Sequence, residues 1–366
     1  MQNRIKVTQV FKVAYPPSVG GIESDMNQIF ESIPDDKYEK EIICCSNSLG
    51  NEVINNVKYT RCKYLFEFAA NYISPEFIHK LSKVDTDILH YHMPCIFAII
   101  AHYLAKPKYK KMIISFHGGI YGYDKYMKYF NKLYNKFYDE CDLLHVYTAN
   151  LLDSEDVLNR NRYKAFILPY SIRIDKDFVY KEKKNSVKQL LTMGRLVKWK
   201  GIQNAILAVK DIERVVLNIV GDGPYREELE KLVSNNELKE KVKFYGQITD
   251  YKTKEEIYNH TDIFIFPSIR KSESFGQVQV QAMSHGIPVI NTQLGTGANY
   301  ISIDGETGLT VEPDSVSQLE KAICKLISDD KIRNNYGMQA RKRIENLFDI
   351  EKNKHLYEKM YEGVLE

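Results

Sequence analysis

Ser272-Glu273-Ser274-Phe275-Gly276-Gln277-Val278-Gln279-Val280-Gln281-Ala282-Met283, continued by Ser284-His285-Gly286-Ile287-Pro288-Val289-Ile290, is the stretch on which the reading of this chain turns. Just upstream, Ile263-Phe264-Ile265-Phe266 is closed by Pro267 and Ser268, the length and residue types of a strand buried on both faces. Downstream, Gly286 and Pro288 stop a helix and another strand begins at Val289. The loop from Pro267 to Phe275 therefore falls between a strand's carboxyl end and a helix's amino end, where open α/β sheets bind ligands. The N–H groups of Phe275, Gly276 and Gln277 are expected to lack intrahelical partners there, and the helix dipole favours an anion.

Glu273 and Gln281 lie eight positions apart. Along a helix that spacing is roughly 12 Å, close to the span of a nucleotide sugar from hexose hydroxyls across the diphosphate to the ribose. An exposed loop Glu and an ordinary helix Gln fit the same residues.

The chain's 366 residues suit two domains better than one core. A net charge of +3 gives no electrostatic reason to expect nucleic acid. From Lys106 to Lys136, however, eight lysines (106, 108, 110, 111, 125, 128, 132 and 136) alternate with aromatic residues and meet only one acid, Asp124. A basic aromatic helix of this kind fits anionic lipid headgroups, and a solvated helical face fits it as well. The six cysteines show no CxxC spacing and fall mostly in apolar runs, as buried thiols of a reducing compartment do. No secretory signal opens the chain, and the longest apolar stretch, Met93 to Ala105, is too short to cross a bilayer. The expected location is cytoplasmic, with peripheral contact at the inner face of the plasma membrane if the lysine-rich region binds lipid.

Strand-like runs alternate with helical patterns: Ile5–Val13, Ile42–Cys45, Ile88–Tyr91, Met112–Phe116, Leu143–Val146 and Phe166–Leu168, and then Leu190–Met193, Val215–Val220, Val242–Tyr245, Ile263–Phe266, Val289–Ile290 and Leu309–Val311. Two α/β domains with parallel sheets follow, and with them the expectation of a cleft between the domains. The boundaries read as 1–172 for the first domain, 173–187 for a polar linker, 188–348 for the second domain and 349–366 for a terminal helix with Leu356, Met360, Tyr361 and Val364 on one face.

Gly194-Arg195-Leu196-Val197-Lys198-Trp199-Lys200-Gly201 makes a second strand-to-helix junction, where Arg195 and Lys200 can clamp a diphosphate. Gly20 and Gly21 permit close backbone approach, or simply shape a turn. His117 ends the run Ser115-Phe116-His117-Gly118, placed to bond a sugar hydroxyl or stabilise charge. Gly221-Asp222-Gly223-Pro224 reads as a tight turn, since Arg226 stands where a dinucleotide fingerprint needs its third glycine. Asp85-Thr86-Asp87 precedes a strand, so it reads as a turn and not as a metal-binding DxD. His90 and His92 share a strand face, but no cysteine or carboxylate stands at ligand spacing from them, and no metal is expected.

Taken together, the Gly-Arg…Lys-Gly loop, Gly-Asp-Gly-Pro, the Glu273-to-Gln281 region, Asp304-Gly305-Glu306-Thr307-Gly308-Leu309 and the Gly20-Gly21-Ile22-Glu23 turn resemble the retaining GT-B glycosyltransferases of family 4, over nearly the whole chain. The resemblance implies two Rossmann-like domains, a terminal helix that crosses back to the first, and a UDP- or GDP-linked sugar donor with no other cofactor. It implies Arg195 and Lys200 on the donor diphosphate, Glu273 on the donor sugar and His117 beside the transferred hexose as the catalytic set. Gly20, Gly21, Gly194, Gly223, Phe275, Gly276 and Gln281 fall to donor binding, with position 281 on the ribose. The family's second Glu is Gln281 here, which removes charge assistance from that bond. The implied role is transfer of a hexose or N-acetylhexosamine to a saccharide or polyprenyl-linked acceptor in O-antigen, lipopolysaccharide or capsule synthesis. A phosphorylase, a nucleotide-sugar epimerase or an inactive nucleotide-sugar-binding partner subunit would share the fold.

Overall fold

The computed structural model describes residues 4–16, 20–68, 71–120, 124–182 and 185–366, with backbone only for 124–127. The chain divides into two compact units, one of residues 1–170 and 350–366, the other of 171–349.

In unit 1 the strands are β1 (Ile5–Val10), β2 (Tyr38–Ser46), β3 (Gly50–Ile54), β4 (Val57–Lys63), β5 (Phe66–Phe68), β6 (Asn71–Ile73), β7 (Asp85–Met93), β8 (Lys108–Phe116), β9 (Leu143–Val146) and β10 (Ala165–Ile167). The main sheet runs β10-β9-β8-β7-β1-β2-β4-β3, parallel except for β3, which returns antiparallel along β4; β5 and β6 form a separate hairpin. Alternation alone predicts only parallel strands. The β3–β4 edge departs from it because Asn55 and Asn56 sit at φ +48° and +61° and turn the chain straight back. Helices α1 (Gly21–Ser32), α2 (Pro75–Leu81), α3 (Ile96–Ala105), α4 (Asp124–Glu140) and α5 (Asp156–Arg160) connect the strands. From Ile88 to Met93, β7 is buried at every position, as a strand covered on both faces must be.

In unit 2, β11 (Lys188–Met193), β12 (Val215–Val220), β13 (Val242–Gly246), β14 (Ile263–Phe266), β15 (Val289–Thr292) and β16 (Gly308–Val311) form one parallel sheet in the order β13-β12-β11-β14-β15-β16. Helices α6 (Ile202–Ala208), α7 (Arg226–Asn235), α8 (Tyr251–His260), α9 (Gln277–Ser284), α10 (Gly297–Ile301), α11 (Val316–Ser328) and α12 (Asp330–Leu347) alternate with them. Asp250, Ser315 and Asp329 cap α8, α11 and α12 by accepting N–H bonds three residues on. The final helix, α13 (Ile350–Leu365), belongs to unit 1, where it buries Tyr357, Met360, Tyr361 and Val364. Lys37 anchors it by ion pairs to Glu358 (2.8 Å) and Glu362.

Three sequence expectations need correction. Asp85-Thr86-Asp87 is not a turn but the opening of β7, where Asp87 accepts the Lys6 N–H (2.7 Å) and pairs with Lys110 (2.7 Å). The lysine-rich stretch is not one helix. Lys108, Lys110 and Lys111 lie in β8, Lys106 ends α3 in a left-handed turn, and only the later lysines belong to α4. Tyr121 and Tyr123 of that stretch lie outside the described residues, as do Pro17, Ser18 and Val19 of the first glycine turn. Finally, the first strand stops at Val10, short of Val13.

Candidate active site

Unit 2 reverses strand order between β11 and β14, which lie side by side: β12 and β13 extend one way and β15 and β16 the other. Such a switch point leaves a crevice at the carboxyl ends of its two central strands. The loop after β11 is pinned to the loop after β14. Ile269 donates its N–H to the Trp199 carbonyl (2.9 Å), and Gly201, at φ +69°, lies so close to Pro267 that a Cβ there would stand 1.9 Å from the Pro267 oxygen. No other residue type fits without moving one loop. Gly201→Ala is therefore expected to destabilise unit 2 by roughly 3 kcal/mol or more, read as a lowered urea midpoint in unit 2 with unit 1 unchanged.

This pinning brings Lys200 onto Glu273. Their side chains form an ion pair, Ser268 Oγ donates to the same Glu273 Oε2 (3.3 Å), and Thr296 Oγ1 donates to the Glu273 carbonyl (2.7 Å). Glu273 is buried, and the Lys200 ammonium also lies over the rings of Trp199 (4.9 Å) and Phe266 (5.7 Å). Arg195 is exposed, and no hydrogen bond or ion pair engages its guanidinium among the described residues. At the head of α9, Gly276 takes φ +82° as the N-cap, against Phe266 and Gln279. Phe275 turns its ring into the interior, 6.2 Å from that of Phe348, so only its backbone is available to a ligand.

Unit 1 has its own switch point, between β1 and β7. At the carboxyl edge around it, His92 of β7, His117 after β8, Tyr147 after β9 and Asp25 of α1 meet. Tyr147 donates to Asp25 Oδ2 (2.6 Å), its oxygen lies 3.0 Å from His117 Nδ1, and His117 Nε2 lies 2.9 Å from His92 Nδ1. Burial pushes Asp25 up to about 7, partly opposed by the Tyr147 hydrogen bond. Burial and the neighbouring imidazoles hold His92 and His117 well below the usual histidine range, so both rings are neutral. Behind them, His90 bonds Tyr361 of α13 (2.9 Å) and Ser115 (2.7 Å), and Ser115 bonds His145 (2.7 Å). Gly20 precedes α1 in extended conformation, under the Glu23 carboxylate, and Gly21 is the helix's first residue.

Residues 174–343 match the family model described as glycosyl transferases group 1. O-antigen chain mannosyltransferase C of Escherichia coli is 24% identical over 99% of both chains, and D-rhamnosyltransferase WbpZ of Pseudomonas aeruginosa is 25% identical over 94% of this chain and 92% of its own. Among solved structures, sucrose-phosphate synthase from Thermosynechococcus elongatus superposes with a TM-score of 0.80 at 19% identity, covering 99% of each chain. Anabaena Alr3699/HepE, solved with UDP and glucose, gives 0.77 at 17% identity over 98% of this chain and 100% of its own. The chain has the GT-B fold, and residues 174–343 are a group 1 glycosyl transferase domain.

Within this GT-B fold the residues singled out from sequence do not all converge. Lys200 and Glu273 pair at the β11/β14 edge, whereas Gln281 accepts a bond from Tyr258 Oη (3.1 Å) and faces a cavity of about 810 Å³ with Thr249, Tyr251, His285 and Arg341. Glu273 precedes α9 by four residues, so a 12 Å helical span between it and Gln281 does not apply. The Gly223 N–H is taken by the Asp222 carboxylate (2.7 Å), and that of Gly194 by the Val220 carbonyl (2.9 Å).

The ground for setting metal aside also changes. Asp25, distant in sequence, brings a carboxylate to His92 and His117, and one ligand atom from each lies within 4.8 Å of the others, the one such group among the described residues. As arranged, these residues are hydrogen-bonded to one another. Two tetrahedral zinc ligands stand roughly 3.3 Å apart, while the His92–His117 nitrogens are 2.9 Å apart. Asp25 and Tyr147 were invisible to sequence reading, since neither sits in a motif and 122 positions separate them.

Proposed function

We propose that this glycosyltransferase retains anomeric configuration and moves a hexose from a nucleotide-sugar donor to a polyprenyl-linked saccharide acceptor during bacterial surface polysaccharide synthesis. The observation that carries the site assignment is the Lys200–Glu273 pair at the unit 2 switch point, with the unpaired Arg195 in the same loop. On this reading Glu273 orients the sugar hydroxyls, while Lys200, Arg195 and the head of α9 stabilise the diphosphate as the anomeric C–O bond breaks and its electron pair passes to the phosphate oxygen. The acceptor oxygen attacks from the same face and its proton passes to the departing phosphate. His117 serves the transferred hexose and Gln281 the ribose. Catalysis is positioning plus charge stabilisation, without a metal.

Two nearly full-length relatives are named for mannose and D-rhamnose, which share ring configuration and differ at C6. A manno-configured donor is therefore tested first. Thermal shift of the full chain against GDP-mannose, other GDP-sugars and UDP-sugars, followed by a transfer assay with the product anomer read by NMR, is the test. Stabilisation by one class and a retained anomer are expected. An inverted product, or conversion of donor without acceptor, sinks the reading. Gln281→Glu should change donor KM by about tenfold or less and leave kcat near wild type, because Tyr258 Oη can donate to either side chain; an inactive variant would remove Gln281 from the site.

Peripheral membrane contact is assigned to α4, where Lys128 and Lys132 flank the exposed Tyr129. Lys136 is partly neutralised by Glu140 at 3.5 Å. No helix among the described residues is long and apolar enough to cross a membrane. Failure to bind anionic vesicles at low salt removes this assignment.

A further inference from the structure

The buried chain of hydrogen bonds in unit 1 has a direction. Tyr147 has one proton to give and gives it to Asp25 Oδ2. Its oxygen lies 3.0 Å from His117 Nδ1 and 3.3 Å from Nε2, and with Nε2 also 2.9 Å from His92 Nδ1 the nearer Nδ1 is the nitrogen that donates to it. His117 Nε2 is left with a lone pair and accepts from His92 Nδ1–H. His92 Nε2 ends the chain without a proton, and it is buried with no hydrogen-bond partner among the described residues. With both rings neutral, each imidazole has one proton and one lone pair, and with Asp25 Oδ2 accepting from Tyr147 the bonds run in this order; the reverse order would bury an N–H of His92 with no acceptor among the described residues.

We infer that Asp25 and Tyr147 are positioning residues that hold His117 in its Nδ1–H tautomer and fix its ring plane, so that the Nε2 lone pair, taken by His92 Nδ1–H in the free protein, is the atom offered to a sugar hydroxyl. The inference rests on the proposed function for that contact but not for the tautomer. The geometry over-determines the ring. His117 is bonded on one side by a residue that follows β9 and on the other by a residue of β7, and Tyr147 is in turn tied to α1. Tyr147 is also packed by tilted neighbouring rings, its ring centroid 5.1 Å from His117 and 4.7 Å from His145. The groups facing Asp25 are Tyr147, Tyr170 and Tyr361, together with His92 and His117; none carries positive charge. Asp25 Oδ1 is buried without a partner among the described residues, and Oδ2 is taken by Tyr147.

Long-range ¹H–¹⁵N correlation of the histidine side chains, on the full chain and on Tyr147→Phe and Asp25→Asn, tests this. The expected wild-type spectrum has His117 protonated at Nδ1 with a pyridine-type Nε2, and Tyr147→Phe should populate the Nε2–H form. In the transfer assay both variants should lower kcat by roughly tenfold or more with donor KM within about twofold, the loss of one hydrogen bond's worth of orientation. A wild-type His117 protonated at Nε2 overturns the inference. So does a changed tautomer with unchanged kcat, or stoichiometric Zn²⁺ binding that shifts the His92 and His117 signals together. If Tyr147→Phe does not fold, as judged by its remaining amide spectrum, Asp25→Asn carries the test alone. A wild-type protein with the expected tautomer and no donor turnover would instead defeat the proposed function and leave the tautomer assignment standing.

Discussion

Lys200→Met lowers kcat/KM for the sugar-nucleotide donor by roughly 10²–10³-fold, the loss typical of removing one preorganised group that stabilises developing charge. The reason lies in what Lys200 faces. Its ammonium is mostly buried, with 18% of the side chain exposed, and is shared with Glu273, at 11%. On the proposed reading, removing the cation takes away one partner of the departing diphosphate; it also leaves a buried carboxylate with Ser268 Oγ as its remaining side-chain donor among the described residues. The variant should therefore also melt earlier. Glu273→Gln is expected to lose donor-sugar orientation while leaving Lys200 free for phosphate. The double variant should lose less than the sum of the two single losses, since the side chains pair with each other as well as meeting different parts of the donor. Steady-state kinetics of the three variants check this, and strictly additive losses would show that the ion pair does not couple them.

Asp25→Asn changes how unit 1 responds to pH. Unfolded, this carboxyl titrates near its ordinary 3.8; folded, burial raises it to about 7. The folded state thus keeps a proton that the unfolded state has released. The stability this contributes is complete below the unfolded value and is lost as pH rises through the folded one. Asparagine does not titrate. The stability of the variant relative to wild type should therefore rise with pH, by about 3 kcal/mol between pH 5 and pH 8. Hydrogen exchange of β1 and β7 amides across that range measures it. Parallel profiles would show that Asp25 is ionised throughout, and a fall with pH would mean that an unseen cation faces it.

Much of the fold was legible because buried parallel strands advertise themselves locally. Ile263–Phe266 and Val215–Val220 are apolar at nearly every position, bounded by Pro or Gly, and each is a strand with those ends. The failures also have a local cause. Asp85-Thr86-Asp87 looked like a turn because it precedes the apolar run Ile88–Tyr91, yet it opens the strand itself, with Asp87 satisfied by Lys110 and by the Lys6 N–H on neighbouring strands. The lysine-rich stretch looked like one helix because composition carries no information on where a strand ends and a helix begins.

By itself the sequence determined the two α/β series, the glycines at the loop junctions and the presence of cations beside one strand end, because these depend on chemistry within a few residues. Tertiary structure decided which of those groups meet. Lys200 finds Glu273 across 73 positions only because β11 and β14 are neighbours in the sheet, and Asp25 finds Tyr147 only because α1 lies over the ends of β7, β8 and β9. A hydrogen bond or ion pair acts over about 3 Å, and that distance is set by strand order and loop closure, which no local run of residues encodes.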